Sequence, residues 1–303
     1  MKMKEIKYSD YSAVKKFFSH QRYNLCVYSL PSIIAWRNED YMPCGAIEND
    51  AMIIGAEFTK KREKRHLILP VSPSREYTPK ELYELAGKFG FKSYWFVPGE
   101  YIERFGESEV ESFFRITVQK EYADYVYLRE DLSGLKGNRY SQKRNLIHQF
   151  ERDYVARDLV ETGKIKSDVS AECIEFLEKW CLERDCDSSE DDALACEKEA
   201  VINTLRNVDL LDVRGLYLRV DGMISAFGIA SYLTDEMGVL HFEKAFAGIR
   251  GLYQYFDNLC AKSLFDGFTY INKESDMSMP GLAKVKKSYH PAMMIKSYRL
   301  DLR

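Results

Sequence analysis

The sequence predicts an α/β fold in two units, residues 1–134 and 135–303, each with a mixed central sheet. Three observations carry this. The last hundred residues read in the order β-β-β-α-β-α-β, which is a sheet with crossover helices. The first third interleaves short apolar strands with a capped helix. At 303 residues the chain is long enough for two units of ordinary size.

In the first unit, Asp10 to Arg22 reads as a helix with Val14, Phe17 and Phe18 on one side. Ala51–Glu57 and Arg65–Leu69 read as strands, the second ended by Pro70. Thr78-Pro79-Lys80-Glu81 is a capping box with proline at the first helical position, so a helix is expected to Phe89. Phe91–Val97, closed by Pro98-Gly99, and Tyr122–Leu128 follow as strands.

The second unit opens on a helix between Gly134 and Tyr154. Arg144, His148 and Arg152 recur there every four residues and share a face. Ser170–Arg184 and Asp191–Asn207 are two further helices, the second with acidic residues in its first turn. Gly215–Val220 and Met223–Tyr232 form a hairpin on Asp221-Gly222, a turn pair suited to positive φ. Then come a strand at Val239–Phe246, a helix at Gly251–Phe265, a strand at Phe268–Asn272, a short helix at Gly281–Tyr289 and a closing strand at Met293–Leu300.

Composition narrows the function. Hydrophobic residues make up 46% and charged residues 30%, enough for a sizeable core, and the 14% of aromatics suits packed sheets. A net charge of −3 argues against a protein that coats nucleic acid, since that affinity comes from neutralising phosphates. No apolar run is long enough to span a bilayer, and the charged start leads into no signal-peptide core, so a cytoplasmic location is expected. The seven cysteines (Cys26, Cys44, Cys173, Cys181, Cys186, Cys196, Cys260) are odd in number and without a CxxC pair. That predicts reduced thiols and no metal site.

Candidate chemistry gathers after residue 240. Strict alternation puts His241 and Glu243 on one strand face, with Phe242 and Lys244 on the other. A carboxylate or imidazole at a strand end can take the proton of an attacking amine; a charge pair without chemistry is the alternative. Gly248 to Gly251 leads from that strand straight into a helix. Such a turn presents backbone N–H groups to a phosphate or an oxyanion, or is simply a tight turn. Lys284 and Lys287 share a face of the next helix and, with Arg144, His148 and Arg152, could cradle phosphates if folding brings the two helices together; a solvated lysine face is the ordinary explanation. Tyr289 closes that helix before Pro291 and is a candidate general acid. Nucleophile elbow, Walker A and dinucleotide motifs are lacking.

Several segments together resemble the phosphatidylglycerol lysyltransferase C-terminal-domain family. They are Tyr122 to Tyr127, Lys143-Arg144-Asn145 with Phe150, His241 to Ala245, Gly251 to Tyr253 with Asn258, Tyr270 to Asp276, Gly281-Leu282 and Lys287 to Pro291. The resemblance implies two tandem GNAT-like (acetyltransferase-type) domains. Members fused to membrane segments move an amino acid from a charged tRNA to a lipid head group. By that match Arg144, Asn145, Glu243, Lys244, Asn272, Lys273, Glu274, Lys287 and Tyr289 line an inter-domain cleft. Two departures stand out. The family's Asn-Arg-Glu is Asn272-Lys273-Glu274 here, which keeps the charge but loses the guanidinium fork. The usual coenzyme A loop has Tyr253 where the backbone must approach a pyrophosphate.

The resemblance and the motifs lead to an acyl- or aminoacyltransferase with aminoacyl-tRNA or acyl-CoA as donor and no tightly bound cofactor. Its acceptor would be an amine or hydroxyl on a small molecule or lipid head group. Glu243, His241 and Tyr289 are the expected catalytic groups; Arg144, Asn145, Lys244, Gly248, Gly251, Asn272, Lys273, Glu274, Lys284 and Lys287 are expected to bind donor or substrate. The competing expectations are a non-catalytic twin-domain protein that binds a phosphorylated ligand or an RNA end, and a structural module acting through partners.

Overall fold

The structure, a computed structural model, describes residues 2–184 and 192–303. Cys186, the Cys196 side chain and the expected helix start at Asp191 lie outside the described residues.

The first half runs β1 (Lys4–Glu5), α1 (Tyr11–Val14), α2 (Leu30–Ala35), β2 (Tyr41–Glu48), β3 (Ala51–Phe58), β4 (His66–Leu67), α3 (Pro79–Phe89), β5 (Ser93–Pro98), α4 (Gly99–Phe105), α5 (Glu107–Glu111) and β6 (Phe114–Leu128). After α6 (Arg129–Gly134), the second half runs α7 (Ser141–Asp153), β7 (Val160–Lys164), α8 (Ser167–Arg184), α9 (Asp192–Arg206), β8 (Val213–Val220), β9 (Met223–Thr234), β10 (Met237–Ala245), α10 (Leu252–Ser263), β11 (Tyr270–Asn272), α11 (Pro280–Lys287) and β12 (Met293–Leu302).

Among the described residues, twelve strands join one sheet in the order β1-β2-β3-β4-β5-β12-β6-β11-β10-β9-β8-β7. Within it, β4 with β5 and β10 with β11 are parallel neighbours, each pair spanned by one helix, α3 or α10. The halves therefore repeat one pattern. They also exchange their last strands: β6 pairs with β11 of the second half, and β12 pairs with β5 of the first. The strand β12, from segment 135–303, thus sits inside the sheet of segment 1–134.

Local sequence accounts for most elements. Thr78 Oγ1 accepts from the Glu81 N–H while Glu81 accepts from the Thr78 N–H at 2.8 Å, which closes the capping box of α3. Asp221 and Gly222 take φ of 51° and 77°, as the two-residue turn between β8 and β9 requires.

The expected helix from Asp10 to Arg22 is broken instead. One α-turn lies between 3₁₀ turns, and the chain leaves it at His20 with φ 52°. Buried Tyr11, Val14 and Phe17 recur every three residues, the period that aligns side chains on a 3₁₀ helix. The strand expected from Tyr122 begins eight residues earlier, because β12 pairs along nearly its whole length. Sequence reading missed β2 and the edge strand β7; the latter is largely exposed and lacks apolar alternation.

Two helix layers cover the second half. On one face α7 and α10 pack Phe150, Leu252, Phe256 and Cys260 onto the sheet. On the other, α8 and α9 pack Cys173, Phe176, Leu177 and Val201 against Phe227 and Phe242. Each fully buried phenylalanine contributes about 1.5–3 kcal/mol, so these layers hold the ends of β10 and β11 in place. Among the described residues no helix is long and apolar enough to cross a membrane.

Candidate active site

The parallel pairing of β10 and β11 ends at Val239 opposite Asn272, while β10 continues to Ala245. The strands part there, and side chains fill the gap. Glu243 of β10 and Lys273, just past β11, meet at 3.1 Å. Lys273 also bonds Asp257 of α10 at 2.5 Å. The ring of Tyr289, which follows α11, lies 5.5 Å from the Lys273 ammonium and 3.9 Å from that of Lys143 on α7. Lys143 in turn donates to Ser288 Oγ at 2.8 Å. Ligands of open α/β sheets sit at the carboxyl ends of parallel strands, and this cluster occupies that position.

Its electrostatics are uneven. Burial, reinforced by the charge of Asp257 and opposed by Lys273, pushes the Glu243 carboxyl up to about 7. One of its oxygens, Oε1, is buried with no hydrogen-bond partner. For Lys273, burial favours the neutral amine, but Asp257 and Glu243 outweigh it and hold the ammonium well above its usual range. Burial, then the charge of Asp257, raises the Tyr289 phenol well above normal, so it stays protonated and can donate.

His241 does not join this group, contrary to strict alternation. A β-bulge between Leu240 and Phe242 inserts one residue into the pairing with β9 and re-aims the imidazole. His241 Nε2 lies 2.7 Å from Ser231 Oγ and 3.2 Å from Ser29 Oγ, and Nδ1 lies 2.9 Å from Glu274 Oε1. Beyond the bulge the alternation resumes. Phe242 packs in the α8 and α9 core, and Lys244 bonds Glu197 of α9 at 2.8 Å over the Trp180 ring, on the side away from Glu243.

Alternation likewise separates Asn272 and Glu274 from Lys273. Asn272 donates to Asp124 of β6 at 2.8 Å and to the Asn24 carbonyl at 2.9 Å, and accepts from the Glu274 N–H at 2.7 Å. Lys286 donates to the carbonyls of Lys273 and Glu274, fixing the backbone between the two groups.

Of the remaining expected residues, Arg144 donates to the carbonyls of Leu135 and Gly137 at 2.5 and 2.7 Å, holding the turn before α7. Asn145, Gly248, Lys284 and Lys287 are exposed. Gly251, the N-cap of α10, is buried with φ 82°, and a Cβ there would stand 2.1 Å from the Leu146 carbonyl oxygen. Its want of a side chain thus serves the packing of α10 on α7. The Leu252 N–H is taken up by the Ile249 carbonyl.

The fold therefore joins Glu243, Lys273 and Tyr289 in one cluster, and His241, Asn272 and Glu274 in another. Sequence reading passed over Asp257 and Asp124. A polar residue between Phe256 and Cys260 on a buried helix was the available signal for Asp257, whereas nothing local marks Asp124.

The sequence matches the model of the family described as phosphatidylglycerol lysyltransferase, C-terminal, over residues 46–301. A comparison with curated proteins finds no match. Among solved structures, a conserved protein of unknown function from Bacteroides thetaiotaomicron is similar, with a TM-score of 0.88 and 28% identity over 99% of both chains. The C-terminal domain assigned to a lysylphosphatidylglycerol synthetase of Agrobacterium fabrum aligns over 89% of this chain and 87% of its own, with a TM-score of 0.61 and 12% identity. A tandem GNAT protein from the clavulanic acid biosynthesis pathway aligns over 99% and 98%, with a TM-score of 0.48 and 7% identity. The α/β class agrees with the single mixed sheet and its covering helices described above. The chain belongs to the phosphatidylglycerol lysyltransferase C-terminal family.

Proposed function

We propose that this protein is a GNAT-like acyl- or aminoacyltransferase whose chemistry takes place at Glu243. The observation that carries the reading is a buried carboxyl poised near neutral pH, with one oxygen unpartnered, at the carboxyl end of a parallel strand pair. Its Oε1 takes the proton from the acceptor's N–H or O–H as the freed lone pair attacks the acyl carbon. A new C–N or C–O bond forms. The carbonyl oxygen gains charge and is met by donors that are already charged or protonated, Tyr289 and Lys143. The intermediate then collapses, the bond to the donor carrier breaks, and Glu243 returns its proton to the leaving oxygen or sulfur. Lys284 and Lys287, exposed on α11 beside Tyr289, suit the phosphates of an aminoacyl-tRNA or acyl-CoA donor. Arg144 has no such part, because its guanidinium is tied to backbone carbonyls.

Calorimetric titration with aminoacyl-tRNA and with acyl-CoA tests the donor, and Glu243→Gln tests the base. One donor is expected to bind at micromolar concentration and to be turned over by the native protein but not by the variant. Affinity no better than about 1 mM for both, with turnover unchanged in Glu243→Gln, would sink the reading.

One observation favours a second reading, a non-catalytic protein holding a phosphorylated ligand or RNA end: Lys273 already bonds both carboxylates in the gap. It predicts that affinity survives Glu243→Gln, falls on Lys284→Ala with Lys287→Ala, and weakens with salt.

A further inference from the structure

A cavity of about 950 Å³ opens between the first half and Glu199, Glu274, Ser275 and Met277 of the second, and none of Glu243, Lys273 or Tyr289 lines it. It lies where β4 and β5, paired only at Leu67 and Tyr94, part from one another, the place in the first half that corresponds to the Glu243 cluster in the second. Its walls are aromatic: Trp36, Tyr41, Phe58, Trp95, Phe96 and Tyr122.

Two carboxylates, Asp124 and Glu274, also line it. Asp124 is 1% exposed. Its Oδ2 accepts from the Cys26 N–H at 2.7 Å and from Asn272 at 2.8 Å, whereas Oδ1 has only the Cys26 thiol at 3.5 Å. Glu274 is oriented by His241, itself backed by Ser231 and Ser29.

The wall is held in a costly shape. Phe96 and Glu274 have φ of 55° and 59°, a region bulky side chains seldom enter. Phe96 is fixed there by bonds from its N–H to Gln119 and from the Tyr28 hydroxyl to its carbonyl.

Charge selects the ligand. The described lining carries five carboxylates against three lysines; the Lys286 ammonium, held on the Lys273 and Glu274 carbonyls, offsets part of the charge of Glu274 and Asp124, and burial keeps the lining imidazole of His66 neutral at pH 7, with its pKa pushed down to about 4. An anion at the Asp124 end would face two carboxylates. A cation there is attracted to both and to the faces of the lining rings. The volume suits a small organic molecule, for which pockets of roughly 300–1,000 Å³ are usual.

We propose that this cavity is a second ligand site, taking a small organic ammonium compound whose cationic head meets Asp124 and Glu274 between aromatic walls. None of the side chains to which the transfer chemistry is assigned, Glu243, Lys143 and Tyr289, lines it.

Two of the three tryptophans, Trp36 and Trp95, line the cavity, while Trp180 lies in the α8 and α9 core, so intrinsic emission reports occupancy. The full chain is titrated with choline and its neutral isostere 3,3-dimethylbutan-1-ol, then with hexylamine and hexan-1-ol. At least one ammonium compound is expected to saturate the signal about tenfold more tightly than its neutral partner. Glu274→Gln and, should it fold, Asp124→Asn are each expected to weaken that binding about tenfold. Trp95→Leu is expected to weaken it as well, and Glu243→Gln to leave it unchanged, which separates this site from the transferase reading. Equal affinity for the neutral isosteres, no saturation at tens of millimolar, or tighter binding of inorganic phosphate would each overturn the proposal.

Discussion

Lys273 and Glu243 meet at 3.1 Å in the gap where β10 and β11 part, and the same ammonium bonds Asp257 at 2.5 Å. One cation therefore serves two buried carboxylates. Burial, reinforced by the surplus negative charge, is why Glu243 is pushed up towards neutrality.

Lys273→Met removes the ammonium bonded to both carboxylates. Breaking a buried pair from one side costs about 3–5 kcal/mol, and urea unfolding should show a loss of that order. Adding Glu243→Gln to Lys273→Met is expected to recover part of it. A single-variant loss below about 1 kcal/mol would mean that the cluster is wet and screened.

Glu243 acts as a base only when ionised, so the transfer rate should rise with pH through about 7. Asp257→Asn removes a like charge and leaves Lys273 to Glu243 alone; both changes move the rising limb to lower pH. A pH–rate profile on the native protein and this variant measures the displacement. An unmoved limb would place the base elsewhere.

His66 stacks on Trp95 at 4.5 Å, and burial lowers its pKa from 6.5 to about 4. The folded state resists protonation that the unfolded chain accepts, so this residue's contribution is intact above pH 6.5 and is lost as pH falls towards 4. The full difference is about 3 kcal/mol. His66→Phe keeps the stack without the titration. The stability gap between variant and native protein should shift in the variant's favour by about that amount between pH 7 and pH 4, read from denaturant midpoints.

Gly251→Ala combines a left-handed φ of 82° with a Cβ 2.1 Å from the Leu146 carbonyl oxygen. A loss of about 2 kcal/mol or more is expected, with α7 forced away from α10. Thermal unfolding measures it, and a neutral outcome would mean that the two helices are not in fixed contact.

Much of the second half was legible because its signals are local. The Asp221-Gly222 turn fixes the pairing of β8 with β9, and apolar runs bounded by glycine mark β10 and α10. The site was legible only in pieces. Glu243, Lys273 and Tyr289 were chosen from the sequence and do meet. His241 was chosen with them and does not, because the bulge at Leu240 interrupts the period-two rule on which its placement rested. Asp257 entered the cluster unseen, since a single carboxylate in a helix looks the same whether it faces water or a buried lysine.

From the sequence alone came the α/β class, the identity of most strands and helices, and the stretch of chain that carries the charged cluster, all set by side-chain period and turn chemistry within a few residues. Only the tertiary structure decided that β6 and β12 change places between the halves, that Asn272 turns away from Lys273 to meet Asp124 and Glu274 to meet His241, and that the open cavity joins the parting of β4 and β5 to residues of the second half. Those outcomes depend on pairings between residues more than a hundred positions apart. Such pairings are chosen by the summed packing of whole layers rather than by any local preference.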